Sequence, residues 1–376
     1  MSQSDSQQPQ QSQAEPTDVI ETAAHQPHPE EIDAPEDVHD DAMGTYLAEI
    51  LEHTAADTSG AVADYIPQLR AVDPGLHALA VTTADGVSHS AGDDGHQFTI
   101  QSISKAFVYA MAVDDLGLDQ VITAVGMEPS GEAFNEMSLE GGTGRPLNPM
   151  INAGAIAVHP LLDGSEHDPM AGGREHHTRT EAVRRRTARI VEGLSCFAGR
   201  ELTVDFASAD SEYDSAHRNL AIAHMLRIHE IITGEPAEAV RGYLDQCSVL
   251  VTVKDIALMA ATLANNGVNP VTLERACSQE AARLTLSVMA TCGMYDASGR
   301  WLARIGIPAK SGVSGGIIGV LPGQVGIASF APRLDGAGNS VQGVEMFEKL
   351  SSEMGMHLMS NEPRFGAVEE ADPEED

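Results

Sequence analysis

A change in hydrophobic periodicity along the chain constrains its fold more than any other feature. HALAVTT (77–83) and VSHSAGD (87–93) are short β-type runs separated by the turn-like ADG, which predicts an antiparallel hairpin. Towards the other end, WLARIGIPAKSG, GIIGVLPG and QVGIASFAP are short apolar runs broken by Gly and Pro, as in antiparallel strands. Between about 118 and 290 the spacing is mainly helical. We therefore expect an α/β (α+β) fold, with one antiparallel sheet built from both chain ends, flanking helices and an inserted all-helical domain.

Two acidic tails enclose the region that is expected to fold. Residues 1–42 are rich in Gln, Ser and Pro and hold eleven Asp or Glu but no Lys or Arg, and residues 367–376 hold six more acids. Such a tail buries too little apolar surface to offset its ordering entropy, so we expect disorder in 1–42. The predicted organisation is a folded region 43–366 with a sheet subdomain from about 43–117 and 290–360 and a helical subdomain from about 118–289.

The net charge of −34 excludes some classes of partner. Nucleic acid and anionic membrane surfaces need a basic footprint, so we expect neither as a partner. The N-terminal sequence has no basic segment followed by an apolar one, and no apolar run is typical of a membrane span. We therefore expect a cytoplasmic protein.

Cysteine and histidine spacing gives no sign of a metal site. Cys196, Cys247, Cys277 and Cys292 form no C-x-x-C pair, so reduced thiols are expected rather than a disulfide framework or zinc ligands. The stretch 163–179 reads as a surface loop. Its histidines (His167, His176 and His177) match no standard zinc spacing.

The segment TIQSISKAFVYAMAVDDLG (99–117) carries two serines beside one lysine. Its pattern predicts a helix from about Ser102 to Leu116 with a C-cap at Gly117. Residues three apart are neighbours on a helix, whereas adjacent residues point about 100° apart. Ser102 can therefore meet Lys105 across one turn, while Ser104 points away from it. Ser-x-x-Lys is a pattern of activated serine nucleophiles, although it also occurs by chance.

A lysine that activates a serine must lose its proton near neutral pH. A free lysine has a pKa of about 10.4, which burial can lower by about 3–5 units. The apolar neighbours of Lys105, including Phe107 and Met111, suit a buried amine, and they would equally suit a plain core helix.

A second segment, AKSGVSGG (309–316), could bring backbone N–H groups close to a ligand, because its glycines permit close approach. The amides of Val313 and Ser102 could form an oxyanion hole, in which each donor is worth about 2.7–4 kcal/mol. The alternative is a Gly-rich β-turn without a ligand.

Ten motifs in order resemble those of the serine-dependent glutaminases, and they extend from about Tyr65 to Ser340. They are YIPQL (65–69), QSISK (101–105), EPSG-x-x-FN (128–135), NPMINAGAI (148–156), SEYDSAHRN (211–219), Y-x3-CS (243–248), MAATLANNG (259–267), CGMYD (292–296), AKSGVSGG (309–316) and GNSV (338–341). The resemblance implies a β-lactamase/transpeptidase-like fold and hydrolysis of the side-chain amide of L-glutamine to L-glutamate and ammonia. It also implies that no metal or organic cofactor is used, and that the protein is a homotetramer.

The resemblance also implies the site residues. Ser102 matches the family nucleophile and Lys105 the lysine that activates it. Tyr243 or Tyr295 would relay the proton to the departing ammonia, and the sequence leaves open which of them does so. The positions that match substrate contacts are Tyr65, Ser102, Asn152, Glu212, Asn219, Tyr243, Tyr295 and Val313.

The residue types fit a zwitterionic substrate independently of the resemblance. The ammonium of glutamine requires a carboxylate, which Glu212 supplies. Its α-carboxylate requires hydrogen-bond donors, and the amides of Asn152 and Asn219 and the hydroxyl of Tyr65 can provide them.

Two alternative functions stay open at this point. A penicillin-recognising acyl-serine hydrolase also uses Ser-x-x-Lys and Lys-Ser-Gly, but its Ser-Asp-Asn motif is missing from this sequence. A catalytically silent glutamine-binding protein could keep the same fold, although the intact Ser102, Lys105 and Tyr295 weigh against it.

Overall fold

The computed structural model describes residues 41–131, 135–167 and 179–360. The tail 367–376, the positions 1–40 of the other predicted tail, and two of the three loop histidines (His176 and His177) lie outside the described residues. The first helix begins at Ala42 with Asp41 as its N-cap, so it reaches two residues into the segment 1–42 for which the sequence predicts disorder. The carboxylate of Asp41 accepts a hydrogen bond from the N–H of Gly44 at 2.9 Å and so caps that helix.

The order of the described helices and strands follows the predicted change in periodicity, with strands towards both ends of the folded region and mainly helices between them. The strands are β1 Ala78–Thr83, β2 Ser88–Gly92, β3 Phe98–Thr99, β4 Thr203–Val204, β5 Val249–Val251, β6 Ala309–Ser311, β7 Gly316–Leu321 and β8 Val325–Phe330. The α-helices are α1 Ala42–Thr54, α2 Pro67–Arg70, α3 Ser104–Leu116, α4 Leu118–Ala124, α5 Asn152–Val158, α6 Glu181–Ala198, α7 Phe206–Asp214, α8 His217–Ile228, α9 Pro236–Cys247, α10 Val253–Ala264, α11 Gln279–Cys292, α12 Ser298–Arg304 and α13 Val341–Met354. Short 3₁₀ turns cover Gln101–Ile103, His159–Leu161 and Tyr295–Ala297.

The main sheet combines strands from both parts of the chain, as expected. Its order is β2-β1-β8-β7-β6 and every neighbouring pair is antiparallel. The predicted hairpin is β1–β2, with Ala80 opposite Ser90, and Ala80 also faces Ala328 on β8. The prediction of an antiparallel sheet flanked by helices is therefore confirmed.

The two faces of this sheet bury different cores, because successive side chains of a strand point to opposite faces. Leu79 of β1 and Ile327 of β8 pack with α1 and α13, whose core residues include Phe347. The neighbouring Ala80 and Ala328 face a second core that contains α3, α10 and α11. The sheet is thus the middle layer between two sets of helices.

The region between the sheet segments is mainly helical, as predicted, but it is not all-helical. The short strands β4 and β5 lie within it and pair with β3 in a separate three-stranded sheet. Two or three residues give too short a run for the strand period of two to register in a sequence pattern. Helix α3 is the innermost helix, since its residues from Ser104 to Val113 are all buried. A helix that is apolar on every side is typical of such a position.

Candidate active site

The chain turns sharply just before α3, and this turn carries Ser102. Gln101 has a φ of +49°, a left-handed conformation that costs a non-glycine residue about 1–3 kcal/mol. The 3₁₀ turn Gln101–Ile103 then leads into α3, which begins two residues later than the sequence predicted. In a 3₁₀ turn, residues three apart are eclipsed, so Ser102 and Lys105 still lie on one side. The predicted C-cap is present, with Gly117 at a φ of +77°.

Lys105 is buried, as a base for Ser102 has to be. It is 2% exposed, and burial lowers the pKa of its amine to about 8. Its Nζ donates hydrogen bonds to the side-chain oxygen of Asn152 at 2.8 Å and to the carbonyl oxygen of Met150 at 3.3 Å. At pH 7 a group with this pKa is neutral in about a tenth of the molecules, compared with less than a thousandth for an ordinary lysine.

Ser104 has structural partners instead. Its hydroxyl donates to the carbonyl oxygen of Gln101 at 2.8 Å and accepts a hydrogen bond from the Gln246 amide at 3.1 Å. Ser104, which the helical geometry points away from Lys105, therefore stabilises the turn that carries Ser102.

Tyr295 lies beside Ser102 on another strained turn, where its φ is +57°. Its hydroxyl donates to the carbonyl oxygen of Ser311 at 2.9 Å, and the Ser102 side chain is a further hydrogen-bond partner. Burial raises the pKa of this phenol well above its usual value, so it stays protonated at neutral pH. Gly293 lets the segment before this turn pack directly against β6, because a Cβ there would collide with the carbonyl oxygen of Ala309.

Lys310 is a second buried lysine, for which the sequence pattern predicts no separate role. Its Nζ donates to the carbonyl oxygen of Ser311 at 2.6 Å and lies 4.3 Å from the centre of the Tyr295 ring. Burial, followed by the nearby charge of Lys105, holds its pKa well below the usual value. The Lys-Ser-Gly segment was the signal that could have identified it.

A pocket of about 310 Å³ opens in front of Ser102. Several helices contribute side chains to its wall, because α5, α7, α8 and α9 converge there. Of the residues predicted to contact substrate, it is lined by Tyr65, Ser102, Asn152, Glu212, Asn219, Tyr243 and Val313. Tyr295, the remaining one, lies behind Ser102 and lines a neighbouring recess of about 100 Å³.

Glu212 is a buried carboxylate on the pocket wall. Burial raises its pKa to about 7, against opposing hydrogen bonds from Gln101 and Tyr65. The Gln101 amide donates to its Oε1 at 2.5 Å, and the Tyr65 hydroxyl does so at 3.4 Å. Gln101 was not predicted as a site residue. The Tyr65 residue as a whole is 49% exposed, but its hydroxyl faces the Glu212 carboxylate.

Asn152 links Lys105 to other residues that the sequence predicts to contact substrate. Its Oδ1 accepts hydrogen bonds from Lys105 at 2.8 Å and from the Tyr243 hydroxyl at 3.3 Å. Its Nδ2 donates to Oδ1 of Asn219 at 3.0 Å. One amide thereby holds residues of α3, α8 and α9 around the pocket.

Two backbone N–H groups have the properties needed for an oxyanion hole. Across the described part of the chain, no hydrogen-bond acceptor pairs with the N–H of Ser102 or of Val313. Gly312 lets the two segments approach, since a Cβ there would come within 3.2 Å of the Ile100 carbonyl oxygen. The N–H groups of Ile103 and Ser104 bond to carbonyl oxygens within the turn, and neither the turn nor α3 has a side-chain N-cap, so the N–H of Ser102 is left for a ligand.

A more voluminous cavity, about 900 Å³, lies along α6 and is lined by several carboxylates together with Cys196. Burial and the nearby Glu274 raise the pKa of that thiol, and burial raises the pKa of Cys247 in the smaller pocket to about 12. Neither thiol is therefore a competing nucleophile. Within 41–131, 135–167 and 179–360, no group of three or more His, Cys, Asp or Glu could hold a metal ion, and the expectation of no cofactor stays a prediction.

A buried serine followed three residues later by a buried lysine, in a fold with an antiparallel sheet between two sets of helices, is typical of the class of Ser-x-x-Lys acyl-transfer enzymes. The family model for glutaminases matches residues 60–359. A glutaminase of Corynebacterium efficiens is 53% identical over 317 residues, which cover 84% of this chain and 72% of that protein. A glutaminase of Clavibacter michiganensis is 46% identical, over 85% of this chain and 93% of that one.

Solved structures agree with this likeness. The glutamate form of the protein Mglu superposes with a TM-score of 0.78 at 48% identity, covering 85% of this chain and 70% of that one. The chain belongs to the glutaminase family. Its predicted fold and its predicted activity, that of a hydrolase acting on glutamine, are therefore confirmed. No described helix combines the length and the apolar character needed to cross a bilayer.

Proposed function

We propose that this glutaminase hydrolyses L-glutamine through an acyl-enzyme on Ser102, with Lys105 as the base. The observation that carries the proposal is the buried Lys105 amine, whose pKa is about 8 and which lies one turn after Ser102, a residue of the pocket wall. Met150 and Asn152 accept the two N–H bonds of a neutral amine. The lone pair is then left for the Ser102 proton.

Acylation forms a bond between Oγ of Ser102 and the carbonyl carbon of the substrate side-chain amide. Lys105 takes the hydroxyl proton, and the negative charge that develops on the carbonyl oxygen is met by the N–H groups of Ser102 and Val313. The C–N bond then breaks, and the nitrogen leaves as ammonia after it receives the proton.

Tyr295 is the better candidate for the proton relay. It has the Ser102 side chain as a hydrogen-bond partner, whereas the Tyr243 hydroxyl donates to Asn152. Water then attacks the ester carbon, the ester C–O bond breaks, and Ser102 regains a proton as L-glutamate forms. This assigns Tyr243 to orienting Asn152 and, through it, Lys105.

The recognition residues divide between the two charges of the substrate. Glu212 is the buried anion in the pocket that can pair with the α-ammonium, and a bound cation would favour its ionised form. The amides of Asn152 and Asn219 are donors for the α-carboxylate. The Tyr65 hydroxyl, which faces Glu212, orients that carboxylate instead of binding the α-carboxylate. The glutamate form of the relative Mglu is in keeping with such a site.

The test is release of ammonia and glutamate by the purified protein from glutamine, asparagine and a simple ester. Glutamine should be turned over best, and Ser102→Ala should lower kcat at least about 10⁴-fold. Ser287→Ala, at an exposed serine of α11, is the matched control and should keep kcat within about threefold of the unmodified protein. Full activity in Ser102→Ala would refute the acyl-serine mechanism, and glutamine binding without ammonia release would favour a silent binding protein.

The assembly and the compartment are also proposals. We propose a homotetramer, for which light scattering should give four times the chain mass of 39.7 kDa. We propose a cytoplasmic location, which the four free cysteines support, because reduced thiols are typical of that compartment. Cell fractionation tests the second proposal.

A further inference from the structure

Helices α7 and α9 carry two recognition residues, Glu212 and Tyr243, and are joined away from the pocket by buried charges. Residues two apart on a helix point about 200° apart. Asp210 precedes Glu212 by two positions, and Asp245 follows Tyr243 by two positions. Each recognition residue therefore has an aspartate behind it, on the opposite side of the same helix.

Arg179 binds both aspartates. Its guanidinium donates to the two carboxylate oxygens of Asp245 over 2.5–2.9 Å and to Oδ1 of Asp210 at 3.0 Å. The side chain of Arg179 is 1% exposed and that of Asp245 is 0% exposed. Arg179 ends the segment 163–179, whose composition predicts a surface loop. That prediction is wrong for this residue, because a polar composition does not reveal a buried partner.

Further contacts make this a built network of two guanidiniums and two carboxylates. Arg241 of α9 donates to the same oxygen of Asp210 at 2.8 Å and stacks 3.4 Å from the Tyr213 ring of α7. Thr187 of α6 donates to Asp245 at 3.1 Å. Among the described residues, two carboxylates match the two guanidiniums, and such pairing is how the fully buried members, Arg179 and Asp245, are tolerated.

We propose that Arg179 is a positioning residue that sets the distance between Glu212 and Tyr243 by holding α7 against α9. The inference rests on the roles assigned to those two residues above. A planar guanidinium that chelates one carboxylate and reaches a second fixes direction as well as distance. A shift of about 1 Å at such a site can cost up to about a hundredfold in rate, because the reacting groups lose their alignment.

Positioning can be separated from stability in this network. Removing one member of a buried ion pair destabilises a protein because a charge stays unpaired, whereas replacing both members is often neutral. Arg179→Gln should therefore lower both the melting temperature and kcat/KM. Arg179→Gln combined with Asp245→Asn should recover most of the melting temperature, while kcat/KM for glutamine stays at least about tenfold below the unmodified protein.

The decisive readout compares L-glutamine with glutaramate, the analogue that lacks the α-ammonium. Displacement of Glu212 weakens only the ammonium contact, so the double variant should lose more kcat/KM for glutamine than for glutaramate, with KM rising more than kcat falls. Asp210→Asn alters a side chain that is 43% exposed, and it should shift the preference in the same direction without unfolding the protein. Arg200→Gln removes a similar chelated pair, with Asp255, away from the pocket, and should leave the preference unchanged.

A double variant with unaltered kcat/KM, or with equal losses for both substrates, would overturn the inference. If no Arg179 variant folds, an unchanged preference in Asp210→Asn overturns it instead. Failure of the proposed function looks different, since the unmodified protein would then release no ammonia from glutamine or Glu212→Gln would keep the full preference for glutamine.

Discussion

The two walls of the pocket are held in different ways. On the sheet side, Ser102 and Val313 in the pocket wall, and Tyr295 as a hydrogen-bond partner of Ser102, are placed by the backbone, through left-handed residues and through glycines that let segments touch. On the helical side, the proposed recognition residues Asn152 and Glu212 are placed by side-chain hydrogen bonds to other segments of the chain. The groups proposed to act on the reacting atoms are thus held by strained, close-packed backbone. The groups proposed to bind the substrate are held by side-chain hydrogen bonds, each of which a single substitution can remove.

The comparison predicts different kinetic signatures for the two walls. Changes on the sheet side should lower kcat, because they alter groups that act on the reacting atoms. Changes on the helical side should raise KM first, because they remove interactions that bind the substrate before the reaction.

After Ser102→Ala, Lys105→Ala should give the largest effect, a fall in kcat of about 10²–10⁴-fold, since removal of a general base costs this much. Lys105→Arg should be as inactive, because a guanidinium does not give up its proton in this pH range. Steady-state rates of ammonia release check both variants. Activity of Lys105→Arg within tenfold of the unmodified protein would show that charge, not proton transfer, is what position 105 supplies.

Glu212→Gln should raise KM for glutamine about 30- to 100-fold and change kcat less than about fivefold. The amide keeps the shape of the side chain but loses the charge-assisted contact with the ammonium, which is worth about 2–3 kcal/mol. Asp214→Asn, at an exposed acid on the same helix, is the control and should alter neither constant. A fall in kcat without a rise in KM would place Glu212 on the chemical side of the comparison.

The pH profile should reflect one residue from each wall. Lys105 must be neutral, and burial lowers its pKa to about 8; Glu212 must be ionised, and burial raises its pKa to about 7. Both groups have to lose a proton, so kcat/KM should rise with pH, about tenfold per unit between 7 and 8 and up to about a hundredfold per unit below 7. Glu212→Gln should reduce the lower slope to about tenfold per unit. An acid limb that is unchanged in that variant would contradict the assignment.

The sequence predicted much of the sheet side for a physical reason. Strands can be recognised from the local sequence, and the pairing of β1 with β2 depends on a turn that the residues ADG predict. Spacing alone placed Ser102 on the same side as Lys105. The left-handed conformations of Gln101 and Tyr295 left no such signal, because tertiary contacts, not residue type, impose them.

The helical side was less accessible to sequence reasoning. Glu212 and Asn152 were identified through resemblance and chemical type, since a lone acid or amide on a helix has no distinctive pattern. The links from Gln101 to Glu212, and from Arg179 to Asp245, join residues far apart in the chain. Such contacts follow from the packing of whole helices, which local periodicity does not specify.

Gly312→Ala tests the backbone control of the sheet side with the smallest chemical change. The added Cβ would lie 3.2 Å from the Ile100 carbonyl oxygen and 3.3 Å from the Ile103 side chain, so the segment that carries Val313 must shift by a few tenths of an ångström. Loss of a whole oxyanion donor costs about 10²–10³-fold, so a partial misalignment should lower kcat about tenfold with little change in KM. Gly336→Ala, where a Cβ meets nothing within 4 Å, should have no effect. If Gly312→Ala raised KM and spared kcat, the N–H of Val313 would act in substrate binding, and backbone placement would serve recognition as much as chemistry.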